Sequence, residues 1–398
     1  MSYNLWVDCP KVPITELLSF IVDNRGKTVP TAEHGHKLIA TNCVTNSTLF
    51  PVYEKVRYLS DETYKTWFRA HPQPGDILFV NKGTPGRVCM VPNPVDFCIA
   101  QDMIALRADD RKIYNKYLFA VLRSNIIQQQ IYNTNVGDVI PHFKKQFMSQ
   151  LLIPVPERHV QEFIGDFYYV LSYKMEHNQK INKNLERQAQ AVFEAWFVDF
   201  LPFGGEKPAS WQQSDIYALA NIIYGAPFAS KQFNTEGNGK PIIRIRDLKE
   251  QRFETYTTEV HPKGYLLQAG DIVVGMDGEF RPYIWGNDEA WMNQRVCVFE
   301  NKRPHGKAFL YFTIKPLLYA IEQTQIATTV IHIGKKDFDA FEIALPDSDT
   351  LDKFDMLTTP VINRIVANCF ENKRIAALRD ALLPKLMSGE IDVKDVNL

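Results

Sequence analysis

Pro346-Asp347 followed by Glu371-x-Lys373 has the loose spacing of a magnesium-dependent nuclease site. Carboxylates so arranged could hold a metal ion for phosphodiester hydrolysis. The pattern is short enough to arise by chance. Glu371 and Lys373 also fall in a helical stretch, where a charged residue is far more often a solvated face. A nuclease using Asp347, Glu371 and Lys373 is therefore the alternative function, not the leading one.

A second set of residues suits nucleic-acid reading. Base edges call for two-pronged donors and acceptors: Arg suits guanine, and Asn or Gln suits adenine. Asn81, Lys82 and Arg87 stand in "NKGTPGR" around Gly83 and Gly86, and Gln101 follows in "IAQDM". Further on, Arg281 ends "MDGEFR", and Asn293, Gln294 and Arg295 form the centre of "WMNQRV". Arg244 and Arg246 alternate with apolar neighbours in "PIIRIR", which reads as a strand turning both toward a groove. Lys144-Lys145 and Lys335-Lys336 suit phosphates, contacts that position a protein without specifying a base. A lysine pair is usually a solvated loop and a Gly-flanked arginine a turn residue. Recurrence at matching places lifts the two lysine pairs above the rest.

Other chemistry is missing. "EGNGKP" at 236–241 lacks the glycine spacing and the Ser/Thr of a phosphate loop, and H-E-x-x-H, G-x-S-x-G and G-x-G-x-x-G do not occur. "NPVDF" at 93–97 is similar to the Asn-Pro-Pro-aromatic loop of amino-group methyltransferases but lacks the second proline. No Gly-rich turn for S-adenosylmethionine accompanies it, so it reads as a turn. Cys9, Cys43, Cys89, Cys98, Cys297 and Cys369 are scattered without a C-x-x-C pair, against a zinc site or a disulfide framework. No cofactor and no metal are expected. The start has no signal-peptide layout and no apolar stretch is membrane-long, so the expected location is the cytoplasm, without a membrane partner. Net charge is −1, which excludes a generally sticky polycation, yet residues 1–150 carry 17 Lys+Arg against 13 Asp+Glu. A local basic face remains open.

The elements that must carry these residues are written twice. "VIPHFKKQF" at 139–147 recurs as "VIHIGKKDF" at 330–338, an offset of 191, and "PGDILFVNKGTPGR" at 74–87 is echoed by "AGDIVVGMDGEFR" at 269–281, an offset of 195. Each copy has short β-type runs broken by Gly and Pro, with helical stretches between, and then runs through a proline into a long helical pattern. A heptad over 160–197 puts Ile164, Leu171, Asn178, Leu185 and Val192 at one seam position, and Tyr168, Met175, Asn182, Ala189 and Trp196 at the other. The second helix repeats the spacing with Phe354, Val361, Ile365, Asn368, Asn372, Ile375, Leu378, Leu382 and Leu386. A polar seam residue costs stability but fixes register and partner, so the two helices are expected to pair with each other. Pro360 marks either a helix start or a kink. The expected fold is α+β: a mixed domain at 1–156, a helix at 157–200, a second mixed domain at 201–346 with its linker at 201–211, and a helix with tail at 347–398.

Two tracts, "NKNLERQAQAVFEAWFVDF" and "RIAALRDALLPKLMSGEI", together with the two-copy layout, resemble the specificity subunits of type I restriction–modification systems over essentially the whole chain. "GDIL", "NKGTPGR", "MDGEF" and "NQRV" are similar to that family's target-recognition domains. The resemblance implies two pseudo-symmetric target-recognition domains joined by an antiparallel coiled coil, each reading one half of a split double-stranded DNA target. It implies no catalysis, and as partners two adenine methyltransferase (modification) subunits and restriction/translocase subunits. Asn178, Asn182, Leu185, Phe193, Trp196, Phe197, Asn368, Asn372, Leu378, Leu382 and Leu386 are the candidates for helix pairing or subunit docking. The first tract ends in aromatics and the second in Leu and Met, so two methyltransferase docking surfaces need not be equivalent. A coiled-coil scaffold without a nucleic-acid role is the remaining alternative.

Overall fold

A computed structural model describes residues 4–24, 26, 28–134, 141–324 and 332–393. Of the repeated motifs, Val139, Ile140, Val330 and Ile331 lie outside the described residues. The chain divides into two compact units, one within Met1–His177 and Arg374–Leu398, the other Asn178–Lys373. Each unit takes one mixed domain and part of both long helices.

The first unit is built on an antiparallel sheet in the order Leu18–Val22, Met103–Ala108, Ile77–Val80, Val88–Met90. "DILFV" reads as a continuous apolar run because both faces of its strand are covered. Ile77 and Phe79 pack with Tyr117, Phe119 and the helical side, whereas Leu78 and Val80 pack with Cys89 and Ala105 on the other. The second unit repeats the sheet as Ala220–Tyr224, Val296–Asn301, Ile272–Gly275, Pro282–Ile284, with Ile272 and Val274 facing one core and Val273 the other.

Smaller pairings also recur. His36–Ile39 runs parallel to Phe97–Ile99 and antiparallel to Arg57–Leu59, just as Lys240–Ile243 runs parallel to Ala290–Met292 and antiparallel to Tyr256–Thr257. Each domain ties its own ends together, Lys11–Pro13 with Leu152–Pro154 and Gln212–Asp215 with Glu342–Leu345. The shared Gly-Asp-Ile motif is a turn clamp. Asp76 accepts the Gln73 N–H at 2.8 Å, and Asp271 accepts the Gln268 N–H at 2.8 Å.

The long helices are Arg158–Phe197 and Ser348–Ser388, the second continuing through Pro360 and Pro384. Within the second unit they run antiparallel. Asn178 meets Asn372, Asn182 meets Asn368, and Phe193 lies 6.2 Å from Phe354. The fully buried Asn178 donates from Nδ2 to Asn372 Oδ1 and to Glu371 Oε2, each at 2.8 Å. Asn368 donates to Asn182 Oδ1 at 2.7 Å, and Asn182 donates to the Ile365 carbonyl at 3.1 Å. Within the first unit, Leu382 and Leu386 pack against the cluster of Ile164, Phe167 and Tyr168.

Leu378 corrects the expected seam. It is 48% exposed, and the inner position belongs to Arg379, whose guanidinium lies over the Tyr168 ring at 5.2 Å. One residue along a helix is a rotation of about 100°, so both cannot face inward. Leu185 is half-buried on the first helix. The aromatic end of that helix packs into the second domain. Phe193 lies 5.7 Å from Phe312, Phe197 lies 4.8 Å from Phe309, and Trp196 lies 6.0 Å from Phe354. Phe193 is buried there, and Trp196 and Phe197 pack against the same core half-buried.

Candidate nucleic-acid interface

In the first domain, Asn81, Lys82, Gln101, Lys144 and Lys145 line one cleft of about 560 Å³ with Asp23, Asn24, Asp102 and His142. Three backbone segments converge to build it. The Asn81 N–H donates to the Asp102 carbonyl at 3.0 Å, and the Phe143 N–H donates to the Asn81 carbonyl at 2.8 Å. A bridge pairs Lys82 with His142. The Lys82 ammonium stands 3.9 Å from Asp102, and Lys145 is ion-paired with Asp23. Lys144 is exposed and has no ion pair among the described residues. Asn81 is buried, and its side-chain Oδ1 has no hydrogen-bond partner among them. Arg87 is not part of the cleft lining. It sits half-buried at the start of Val88–Met90, without an ion pair among the described residues.

The second domain makes the same corner from different residues. The Met276 N–H donates to the Arg295 carbonyl at 2.9 Å, and the Ile333 N–H donates to the Met276 carbonyl at 2.9 Å. A bridge pairs Asp277 with His332. These bonds make Lys82 equivalent to Asp277, Asp102 to Arg295, Gln101 to Gln294 and His142 to His332. Arg295 Nε lies 3.6 Å from Asp277, and His332 Nδ1 lies 2.6 Å from the same carboxylate. Asn293 donates its N–H to Ile243 at 3.0 Å, Gln294 is exposed, and Lys335 and Lys336 open the short helix Lys335–Asp339 on exposed positions.

Three other arginines stand elsewhere. The strand carrying "PIIRIR" ends at Ile243, and Arg244 precedes and Arg246 sits inside a turn over Ile245–Asp247 rather than the two alternating on a strand. Asp247 holds that turn: Arg244 Nε lies 3.1 Å and Arg246 Nε 3.7 Å from it. Arg281 is ion-paired with Glu322, whose hydrogen bond raises the guanidinium pKa further, and it stacks 5.7 Å over Tyr319. It is committed to the fold of its own domain.

The carboxylate alternative does not assemble. Asp347 caps the second helix, accepting the Thr350 N–H at 2.9 Å and the Thr350 hydroxyl at 3.1 Å. Glu371 accepts from Asn178, and Lys373 pairs with Asp288. Asp347 and Glu371 are separated by about 36 Å of helix at 1.5 Å per residue. Among the described residues, no group of three His, Cys, Asp or Glu side chains could hold a metal ion. No helix of the described residues is long and apolar enough to cross a membrane.

Sequence reasoning overlooked Asp102, Asp277, His142 and His332. The signal was present in "PHF" and "IHI": matching the histidines shifts the repeat to an offset of 190, which pairs Lys145 with Lys335. The buried Met148 and Phe338 then coincide as well.

The family model described as the type I restriction modification DNA specificity domain matches twice, at residues 29–187 and 208–366. The MjaIX specificity subunit of Methanocaldococcus jannaschii is 23% identical over 343 residues, 81% of this chain and 79% of that protein. The HindI specificity subunit of Haemophilus influenzae is 23% identical over 399 residues, 80% of this chain and 86% of that protein. The EcoBI specificity subunit of Escherichia coli is 36% identical over 138 residues, which is 34% of this chain and 29% of that relative's length. The crystal structure of the S subunit of a type I restriction–modification system from M. genitalium shares the fold, with a TM-score of 0.54 at 15% identity over 94% of this chain and 95% of that one. With two copies of the DNA specificity domain spread over most of its length, the chain belongs to the family of type I restriction–modification specificity subunits, the DNA-recognition and non-catalytic members of those systems.

Proposed function

We propose that the chain reads a split double-stranded DNA target, one half with each domain, and presents it to the other subunits of a restriction–modification complex. The observation that carries this reading is the repeated corner. The same three segments meet in both domains through the same backbone bonds, while most of the side chains they display differ. A frame held constant under changing polar side chains is what two readers of different base sequences require. Asn81, Lys82 and Gln101 serve the first half-site, and Asn293, Gln294 and Arg295 the second. Lys144, Lys145, Lys335 and Lys336 supply phosphate contacts. Arg87, Arg244, Arg246 and Arg281 have a weaker claim, because the last three are tied to Asp247 or Glu322.

The paired helices set the unspecified spacer between the half-sites, each helix of about 40 residues being about 60 Å long. The partners are two adenine methyltransferase subunits and the restriction/translocase subunits, and the complex works in the cytoplasm. Mapping methylated adenines in cells with and without this gene tests the reading. A split motif that disappears on deletion is expected, and an unchanged methylation map would exclude it. Purified chain alone is expected neither to methylate nor to cut.

A further inference from the structure

The equivalent positions in the two corners carry opposite charges. In the first domain the cation, Lys82, follows the strand Ile77–Val80, and its carboxylate, Asp102, precedes the strand Met103–Ala108. In the second domain the carboxylate, Asp277, follows Ile272–Gly275, and the cation, Arg295, precedes Val296–Asn301. The cross-strand pair is kept while its polarity is reversed. Building on the DNA-reading function proposed above, we infer that Lys82 and Arg295 are the guanine-reading cations of their half-sites, and that Asp102 and Asp277 are the residues that position them.

Exposure separates this role from a structural strut. The side chains of Lys82 and Arg295 are 44% and 52% exposed, and pairs this open add little to folding. A phosphate contact needs no such device, since a long flexible lysine finds a backbone anion unaided, as Lys144, Lys335 and Lys336 are free to do. Base reading does need it, because the donor must be aimed before the edge arrives. Lys and Arg offer donors only. Of the four bases, guanine presents two neighbouring acceptors, O6 and N7, in the major groove, whereas adenine sets a donor beside its acceptor.

Two further features fit an approaching duplex. Gly83 and Gly278 directly follow Lys82 and Asp277 with φ of +85° and +83°, and a side chain at either would meet nothing within 4 Å. The loop tip is therefore open where a nucleic-acid backbone has to come close. In the second domain His332 Nδ1 lies 2.6 Å from Asp277 and 3.2 Å from Arg295. One ring nitrogen either donates or accepts. Donating along the shorter contact, His332 fixes the Asp277 carboxylate, which in turn stands 3.6 Å from Arg295 Nε.

Methylation mapping of the assembled complex in cells tests this. Asp277→Asn and Arg295→Gln are each expected to lose preference for one guanine in the second-domain half-site by about tenfold or more, leaving the other half unchanged. The doubly swapped Lys82→Asp/Asp102→Arg variant, which copies the second domain's polarity, is expected to change one base pair of the first half-site. Lys82→Asp alone is expected to abolish methylation. Uniformly weaker methylation with an unchanged motif in all variants would overturn the inference in favour of a phosphate contact. An unchanged motif at unchanged level would overturn it in favour of a strut. If the swapped variant fails to assemble, Arg295→Gln and Asp277→Asn decide the matter in the same readout. Failure of the wild-type chain to direct any split motif would instead sink the DNA-reading function itself.

Discussion

Asp347 shows how one carboxylate can belong to two chemistries until its partners are known. Its spacing to Glu371 and Lys373 fits a metal site, but the Thr350 N–H and hydroxyl make it a helix cap. The Thr350 backbone hydrogen bond holds its pKa below the usual carboxylate range. A folded pKa below the unfolded value of about 3.9 gives stabilisation that is complete above that pH and lost as pH falls through the folded value. Asp347→Ala should therefore cost about 1 kcal/mol at pH 7. In chemical denaturation the cost should shrink as pH falls below the usual carboxylate range, and a cost that does not change with pH would refute the capping role. The lysine pairs make a different prediction. Lys335→Ala/Lys336→Ala should weaken binding to every duplex alike and lower the salt dependence of log K by about two contacts' worth, without altering the methylated motif. Residue types and repetition were enough to nominate Asn81, Lys82, Gln101, Lys144 and Lys145 as nucleic-acid contacts, but not to show that they line one cleft. They could not show that Arg281 would meet Glu322, 41 positions away, because a salt bridge between distant segments leaves no local pattern.

At the scale of elements, the polar seam is the informative feature. Asn368 is buried and donates to Asn182 across the helix pair. Asn182→Leu strands that amide and should cost about 1–3 kcal/mol, whereas Asn182→Leu/Asn368→Leu should recover most of the loss. Urea denaturation of the two variants distinguishes this from simple overpacking, in which the double variant would be the worse. Heptad spacing made the seam legible through Asn178, Asn182, Asn368 and Asn372. It misled at Leu378, because hydrophobicity alone cannot tell an exposed leucine from a neighbouring arginine whose stem and guanidinium pack on Tyr168. Pro360 left two readings open, and Asp347 resolves them by placing the helix start at Ser348, twelve residues earlier. The aromatic end of the first helix was legible as unusual, but its neighbours Phe309, Phe312 and Phe354 come from segments far along the chain.

For the whole molecule, two short motifs at nearly constant offset, each copy then running through a proline into a long helix, were enough to reveal two copies of one mixed domain. The four-stranded sheets beneath them agree strand for strand, while the smaller mixed sheet has three strands in the first domain and five in the second. The parallel pairings of His36–Ile39 with Phe97–Ile99 and of Lys240–Ile243 with Ala290–Met292 were not legible, since they join segments separated by whole hairpins. The reversed charge pair was hidden for a related reason: alignment rewards identity, and these positions differ in type while agreeing in backbone bonds. The central claim is that each domain reads its own half of the target. Its most direct test replaces residues 1–156 with the first recognition domain of a relative of different specificity and maps adenine methylation in cells carrying the rest of the system. The account predicts that one half of the split motif changes while the other half and the spacer stay the same. A change in both halves would contradict it, as would an unaltered motif.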